Sequence, residues 1–237
     1  MVTILNINKT FNKRSKFPVK ALQNINANIR KNQVTGLIGS NGAGKTTLIR
    51  IILGFESPDN GSIIINDKSN LDITSRKIIG YQSDMPFVTK SVKVFDYLDF
   101  NSKLSGYDNN ESQIMEMLDY FLLTASANKK LSDLSKGMRQ KLEIINAFLG
   151  KPKLVILDEP TAALDPFAVI ELRDFISKQK ETGITILFSS HHLSEVEKIC
   201  DRVLFINQGL IVKDFGSDVI QQGMLEVEFT QFIKESN

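Results

Sequence analysis

One stretch leaves this chain few choices of fold: Gly39-Ser40-Asn41-Gly42-Ala43-Gly44-Lys45-Thr46. The apolar run before it, Val34 to Ile38, reads as a short strand, and Thr46 to Leu53 reads as a helix. A G-x-x-x-x-G-K-[ST] loop between a strand and a helix wraps a nucleotide's phosphates in backbone N–H groups. Its glycines let the backbone approach the phosphates in conformations that a Cβ forbids. The helix start adds a positive dipole end and unpaired donors. Ser40, Asn41, Gly42, Ala43, Gly44, Lys45, Thr46 and Thr47 form the expected cradle. Lys45 is expected to reach the β- and γ-phosphates, and the Thr46 hydroxyl to ligate Mg²⁺.

The rest of the composition is ordinary. The 237 residues can bury one large core or two small ones. The apolar share of 42% and charged share of 24% fit a soluble globular protein. A net charge of +2 gives no nucleic-acid footprint, so no nucleic-acid partner is expected. The single cysteine, Cys200, excludes an internal disulfide and reads as a buried apolar thiol. No apolar run approaches the length of a membrane span, and Met1-Val2-Thr3-Ile4 lacks signal-peptide character, so a cytoplasmic location is expected.

Along the chain, Val2 to Phe11 and Ala21 to Ile29 alternate apolar and polar residues, as half-buried strands do, with Ile25, Ala27 and Ile29 on one face. Ser62 to Ile65 and Lys77 to Tyr81 are further strands. Three helices are expected over Val92–Leu104, Glu111–Leu122 and Ser135–Leu149, with no strand among them. The α/β rhythm returns with the strand Leu154 to Leu157, a helix capped by Asp165 with Pro166 at its first position, and the strand Ile184 to Phe188. Ser194-x-x-Glu197 reads as a capping box opening a helix through Cys200. Val203 to Ile206 and Leu210 to Phe215 read as a hairpin, and the tail from Ser217 is amphipathic at best.

A second constellation lies about a hundred residues after the loop. The apolar strand ending in Asp158-Glu159 delivers two acids, as a Mg-nucleotide site requires. Asp158 suits Mg²⁺, and Glu159 suits a general base for the attacking water.

Taken with the phosphate loop, four motifs resemble those of ABC-type ATPases. They are Asp158-Glu159-Pro160-Thr161, Ala163-Leu164-Asp165-Pro166, Ser189-Ser190-His191, and the signature-like Leu134-Ser135-Lys136-Gly137-Met138-Arg139-Gln140. The resemblance spans nearly the whole chain. It implies an α/β P-loop NTPase fold of ABC nucleotide-binding type, with an N-terminal antiparallel β subdomain and an inserted α-helical subdomain. The implied single domain has an α/β core over residues 1–85 and 151–215, a helical insertion over 86–150, and a tail over 216–237. It implies ATP and Mg²⁺ as cofactors, and the missing Asn-Lys-x-Asp motif also favours ATP over GTP. It implies catalytic roles for Glu159 and His191, adenine stacking for Phe11, and phosphate contacts for Ser135 and Gly137 presented to a second copy. Asp165 would cross the dimer interface. A strand-end core residue is the alternative reading of Phe11, and Asp165 and Ser135 are also plain helix caps.

Two departures stand out. Lys136 and Met138 replace the commonest signature residues, in a form that resembles bacterial exporter subunits more than importers. In Gly80-Tyr81-Gln82-Ser83-Asp84, the family's Mg²⁺-sensing glutamine aligns with Asp84, which the alignment favours, while Gln82 lies two residues early and stays open as the alternative.

The implied function is the ATP-hydrolysing motor of an ABC membrane exporter. Its implied partners are a second ATPase subunit, identical or different, and a transmembrane permease, with the chain peripheral on the cytoplasmic face of the membrane. Met85-Pro86-Phe87-Val88 is apolar where such a permease would dock. The alternative is a soluble ABC ATPase of a cytoplasmic assembly machine.

Overall fold

Alternating apolar residues open the chain, and they fold as an antiparallel sheet. The computed structural model describes residues 1–83, 91–108, 110–221 and 223–235. In chain order come β1 (Val2–Phe11), β2 (Val19–Ile29), β3 (Val34–Ile38), α1 (Lys45–Ile52), β4 (Asn60–Ile65), β5 (Lys68–Ser69), α2 (Ile73–Arg76) and β6 (Ile79–Gln82). Then follow α3 (Val94–Leu104), α4 (Glu111–Tyr120), α5 (Lys136–Phe148), β7 (Leu154–Asp158) and α6 (Pro166–Glu181). The chain ends in β8 (Thr185–Ser190), α7 (Leu193–Ile199), β9 (Arg202–Asn207), β10 (Leu210–Phe215), α8 (Ser217–Gln221) and α9 (Leu225–Glu235). Two compact units result: Met1–Arg76 with Thr185–Asn237, and Lys77–Ile184.

The first unit holds a β2-β1-β4-β5 antiparallel sheet and the strand series β10-β9-β3-β8. β3 is buried along its whole length, with β8 and β9 parallel on its two sides. Two covered faces explain its continuous apolar run. α1 lays Leu48, Ile49, Ile51 and Ile52 into the core. Each such side chain contributes about 1.5–3 kcal/mol by leaving water. In β2 the alternation slips: Asn24 takes a left-handed φ of 48°, so Leu22 and Ile25 are both buried three residues apart, and Ala27 is only half-buried. A bulge of this kind re-phases the strand.

The second unit pairs β6 with β7 in parallel and adds α3 to α6. α5 passes so close to β6 that a Cβ on Gly80 would sit 1.7 Å from the Ala147 carbonyl oxygen. Tyr120, Phe121, Phe148 and Phe175 stack at centroid distances of 4.9 to 5.3 Å. Edge-on and tilted pairs of this sort add to burial. The Tyr97 hydroxyl donates to buried Glu143 (2.8 Å). Burial pushes that carboxyl above the usual carboxylate range, partly offset by the Tyr97 hydrogen bond.

Most element boundaries fall within one or two residues of the sequence expectation. The capping box does not form. Ser194 lies inside α7, whose N-cap is His192 without a side-chain cap bond. The Ser190 hydroxyl accepts from the His192 backbone N–H (3.0 Å), which starts the helix early. Glu197 instead accepts from the Leu225 N–H (3.1 Å) at the start of α9. The tail is more ordered than its sequence suggests: Leu225 is fully buried, and Phe229 meets Phe205 edge-on at 4.6 Å. β5 and α2 have no counterpart in the sequence expectation. Cys200 is buried as expected, its thiol pushed well up by desolvation.

Candidate functional site

The first unit carries the glycine-rich loop at the end of β3. Gly39 follows the buried strand, and a Cβ there would meet the Ile206 carbonyl oxygen at 2.2 Å. Gly44 has φ 114°, and its Cβ would lie 2.7 Å from the Ala21 carbonyl oxygen. Both positions exclude side chains on steric grounds. The loop closes on itself through Ala43 N–H to the Ser40 carbonyl (3.1 Å). The β9–β10 turn braces it: Gly209 N–H donates to the Ala43 carbonyl (2.9 Å), and Gln23 N–H donates to the Gly209 carbonyl (2.7 Å). Lys45 is nearly buried, and its Nζ donates to the carbonyls of Gly39 (2.7 Å) and Ser40 (3.3 Å). Ser40, Asn41, Gly42 and Thr46 face solvent, and Thr47 is half-buried. α1 begins at Gly44 with no side-chain cap, so no side chain there takes its first N–H groups.

β8 delivers a second group to the same edge. Its Ser190 pairs with Ile38, so His191 leaves β8 where Gly39 leaves β3. His191 is exposed, and its ring stands 3.9 Å from that of His192. Phe11 ends β1 opposite Val19 and is 36% exposed, which removes it from the core. The Lys9 Nζ lies 5.1 Å from its ring centroid.

The second unit carries the two acids. β7 is buried throughout and ends on Asp158, which is fully buried. Glu159 follows with φ 50°, a left-handed conformation that costs about 1–2 kcal/mol for a residue with a side chain. β6 runs parallel alongside, with Gln82 opposite Leu157. Gln82 is fully buried, and its Nε2 donates to the Ser83 carbonyl (2.6 Å). No donor among the described residues reaches its Oε1. Gln82 and Asp158 each carry oxygens of the hard type that Mg²⁺ takes. The donor types at Asp158 and Gln82 therefore fit that ion. Asp84 lies outside the described residues, as does Met85-Pro86-Phe87-Val88.

α5 starts in this unit. Ser135 is its N-cap, and the hydroxyl accepts from the Met138 N–H (3.2 Å). A Cβ on Gly137 would meet the Ala163 carbonyl oxygen at 3.1 Å, so the first turn of α5 lies directly on the segment after Glu159. Asp165 caps α6, its Oδ1 accepting from the N–H groups of Phe167 (3.0 Å) and Ala168 (2.9 Å). The sequence places Gln140 in the signature-like run but gives it no role of its own. Its Nε2 donates to the Pro160 carbonyl (3.0 Å) and more weakly to the Glu159 carbonyl (3.5 Å). A side chain that bonds backbone carbonyls leaves no spacing signal, and the same holds for the Gly209 brace.

Residues 22–162 match the family described as ABC transporter. The chain is 38% identical to the lantibiotic transport ATP-binding protein SrtF of Streptococcus pyogenes over 94% of this chain and 95% of that one. It is 36% identical to the bacitracin transport ATP-binding protein BcrA of Bacillus licheniformis over 86% and 67% of the two chains. A solved ATP-binding subunit of an ABC transporter superposes with a TM-score of 0.86 at 28% identity, over 97% of this chain and 99% of that one.

Proposed function

This chain is an ATP-binding ATPase of the ABC transporter family, and from that membership we propose that it is the motor subunit of a membrane exporter. ATP draws two such subunits together head to tail, and hydrolysis releases them. The alternation works a separate transmembrane permease. The observation that carries this reading is the near end-to-end likeness to a protein named for lantibiotic transport.

In the proposed cycle, Phe11 stacks on adenine, and the backbone of residues 40–47 with Lys45 holds the phosphates. Thr46 and Asp158, with either Asp84 or Gln82, would hold Mg²⁺, which supplies charge stabilisation to the transferring phosphoryl group. Glu159 orients the attacking water and takes its proton, and His191 contacts the γ-phosphate. Ser135 and Gly137 of the second copy close over that phosphate, and Asp165 reaches across the interface. Stabilising the charge on the phosphoryl group is the main task, so Lys45 and the start of α5 carry most of the barrier reduction.

Among the described residues no helix is long and apolar enough to cross a membrane. In the proposed complex, attachment to the cytoplasmic face comes through the permease. Fractionation tests this: the chain should pellet with membranes when the permease is co-expressed and stay in the supernatant otherwise. Pelleting without any partner, or staying in the supernatant beside its permease, would remove the motor-subunit reading.

A further inference from the structure

Glu159 holds a backbone conformation that its sequence opposes. Its φ of 50° is left-handed. The next residue is Pro160, whose ring drives the preceding residue toward extended backbone. Something outside the turn has to hold it. Within the turn, the Ala162 N–H donates to the Glu159 carbonyl (3.2 Å), and the Leu164 N–H donates to the Thr161 carbonyl (3.0 Å). From outside comes Gln140, a nearly buried side chain on α5. Its carboxamide N–H groups reach the Pro160 carbonyl at 3.0 Å and the Glu159 carbonyl at 3.5 Å. Gly137 sits three residues earlier on the same helix face, against the Ala163 carbonyl.

We propose that Gln140 is a positioning residue for hydrolysis: its carboxamide fixes the backbone turn that aims the Glu159 carboxylate. This rests on the assignment of Glu159 as base. It makes α5 a rigid link within one chain. One end of the helix carries Ser135 and Gly137, which meet the nucleotide of the opposite copy. One turn further along, Gln140 grips the backbone of the chain's own base. Displacing the helix start moves the donor and therefore the carboxylate. A signature contact made on one nucleotide would thus be felt at the base that serves the other.

The test uses the purified full chain. Gln140→Met keeps the side-chain length and apolar stem but removes the donor. Its kcat should fall about tenfold while KM for ATP changes little, because a displaced catalytic group loses rate rather than ground-state binding. On a Glu159→Gln background, single-turnover hydrolysis should be the same with and without Gln140→Met, since the positioned group is already gone. Wild-type kcat in Gln140→Met, a loss of ATP affinity in its place, or an undiminished defect on the Glu159→Gln background would each overturn the proposal. Wild-type turnover by Glu159→Gln alone would instead sink the base assignment beneath it. Should Gln140→Met not fold, Gln140→Glu provides a second readout. Its acid form can donate to the same carbonyls and its carboxylate cannot, so its rate relative to wild type should climb as pH falls. A flat ratio would overturn the proposal.

Discussion

Two helices in this molecule begin at sites proposed to handle phosphate, and they begin differently. α1 in the first unit starts at Gly44, which offers no side chain to its N–H groups. α5 in the second unit starts at Ser135, whose hydroxyl already accepts from Met138. A bare start leaves its full set of donors and its dipole for a ligand. A serine-capped start has satisfied one donor, yet keeps a hydroxyl hydrogen to give. The first arrangement suits a permanent grip. The second suits a lid that must be stable alone as well as closed over a nucleotide. α6 marks the far end of the series: Asp165 takes two backbone N–H groups at once.

The largest expected effect breaks the grip. Lys45→Ala removes a charge-assisted contact worth about 1.5–3 kcal/mol, so ATP affinity should drop roughly tenfold to a hundredfold in a nucleotide titration. Unchanged affinity would show that the bare helix start, and not the ammonium, provides the hold. A smaller effect sharpens the lid. Ser135→Asp keeps an acceptor for the Met138 N–H but sets a negative charge where a phosphate should arrive. Melting should stay within about 0.5 kcal/mol of wild type, as expected between good caps, while turnover falls about tenfold. Ser135→Ala should instead lose about 1 kcal/mol of stability. Equal turnover in Ser135→Asp and wild type would reduce Ser135 to a cap.

The same contrast explains what was legible in the sequence. The cradle at Gly39–Thr46 could be read in advance because each glycine answers a local demand: a carbonyl too near at Gly39, a positive φ at Gly44. The acid pair could be read because a continuous apolar run can only be a covered strand, and it ends on Asp158. Caps at Ser135 and Asp165 follow from residue type and position. What could not be read depends on partners far away in the chain. Ser194 and Glu197 have capping-box spacing, yet Ser190 starts that helix and Glu197 serves Leu225. Phe11 could be core or surface by sequence alone, and only its place at the end of a hairpin exposes it. That Gln82 holds a buried oxygen that no described donor reaches likewise has no mark in the sequence. Gln140 and Gly209 act on backbone carbonyls, which any residue supplies, so nothing in the sequence marks their targets.

The smallest expected effect tests the closed end of the series. Asp165 caps α6 with one oxygen, and the proposed dimer gives its charge a second task across the interface. Capping and charge separate in Asp165→Asn, because asparagine caps about as well as aspartate but carries no charge. The variant should therefore melt within about 0.5 kcal/mol of wild type. Turnover should fall by about 1 kcal/mol in barrier, roughly fivefold, if the charge helps align Glu159. Asp165→Ala should show that same loss of turnover plus about 1 kcal/mol of lost stability. Turnover equal to wild type in Asp165→Asn would leave Asp165 as a cap alone. The start of α6 would then be closed in function as well as in structure, and phosphate handling would fall to α1 and α5 without it.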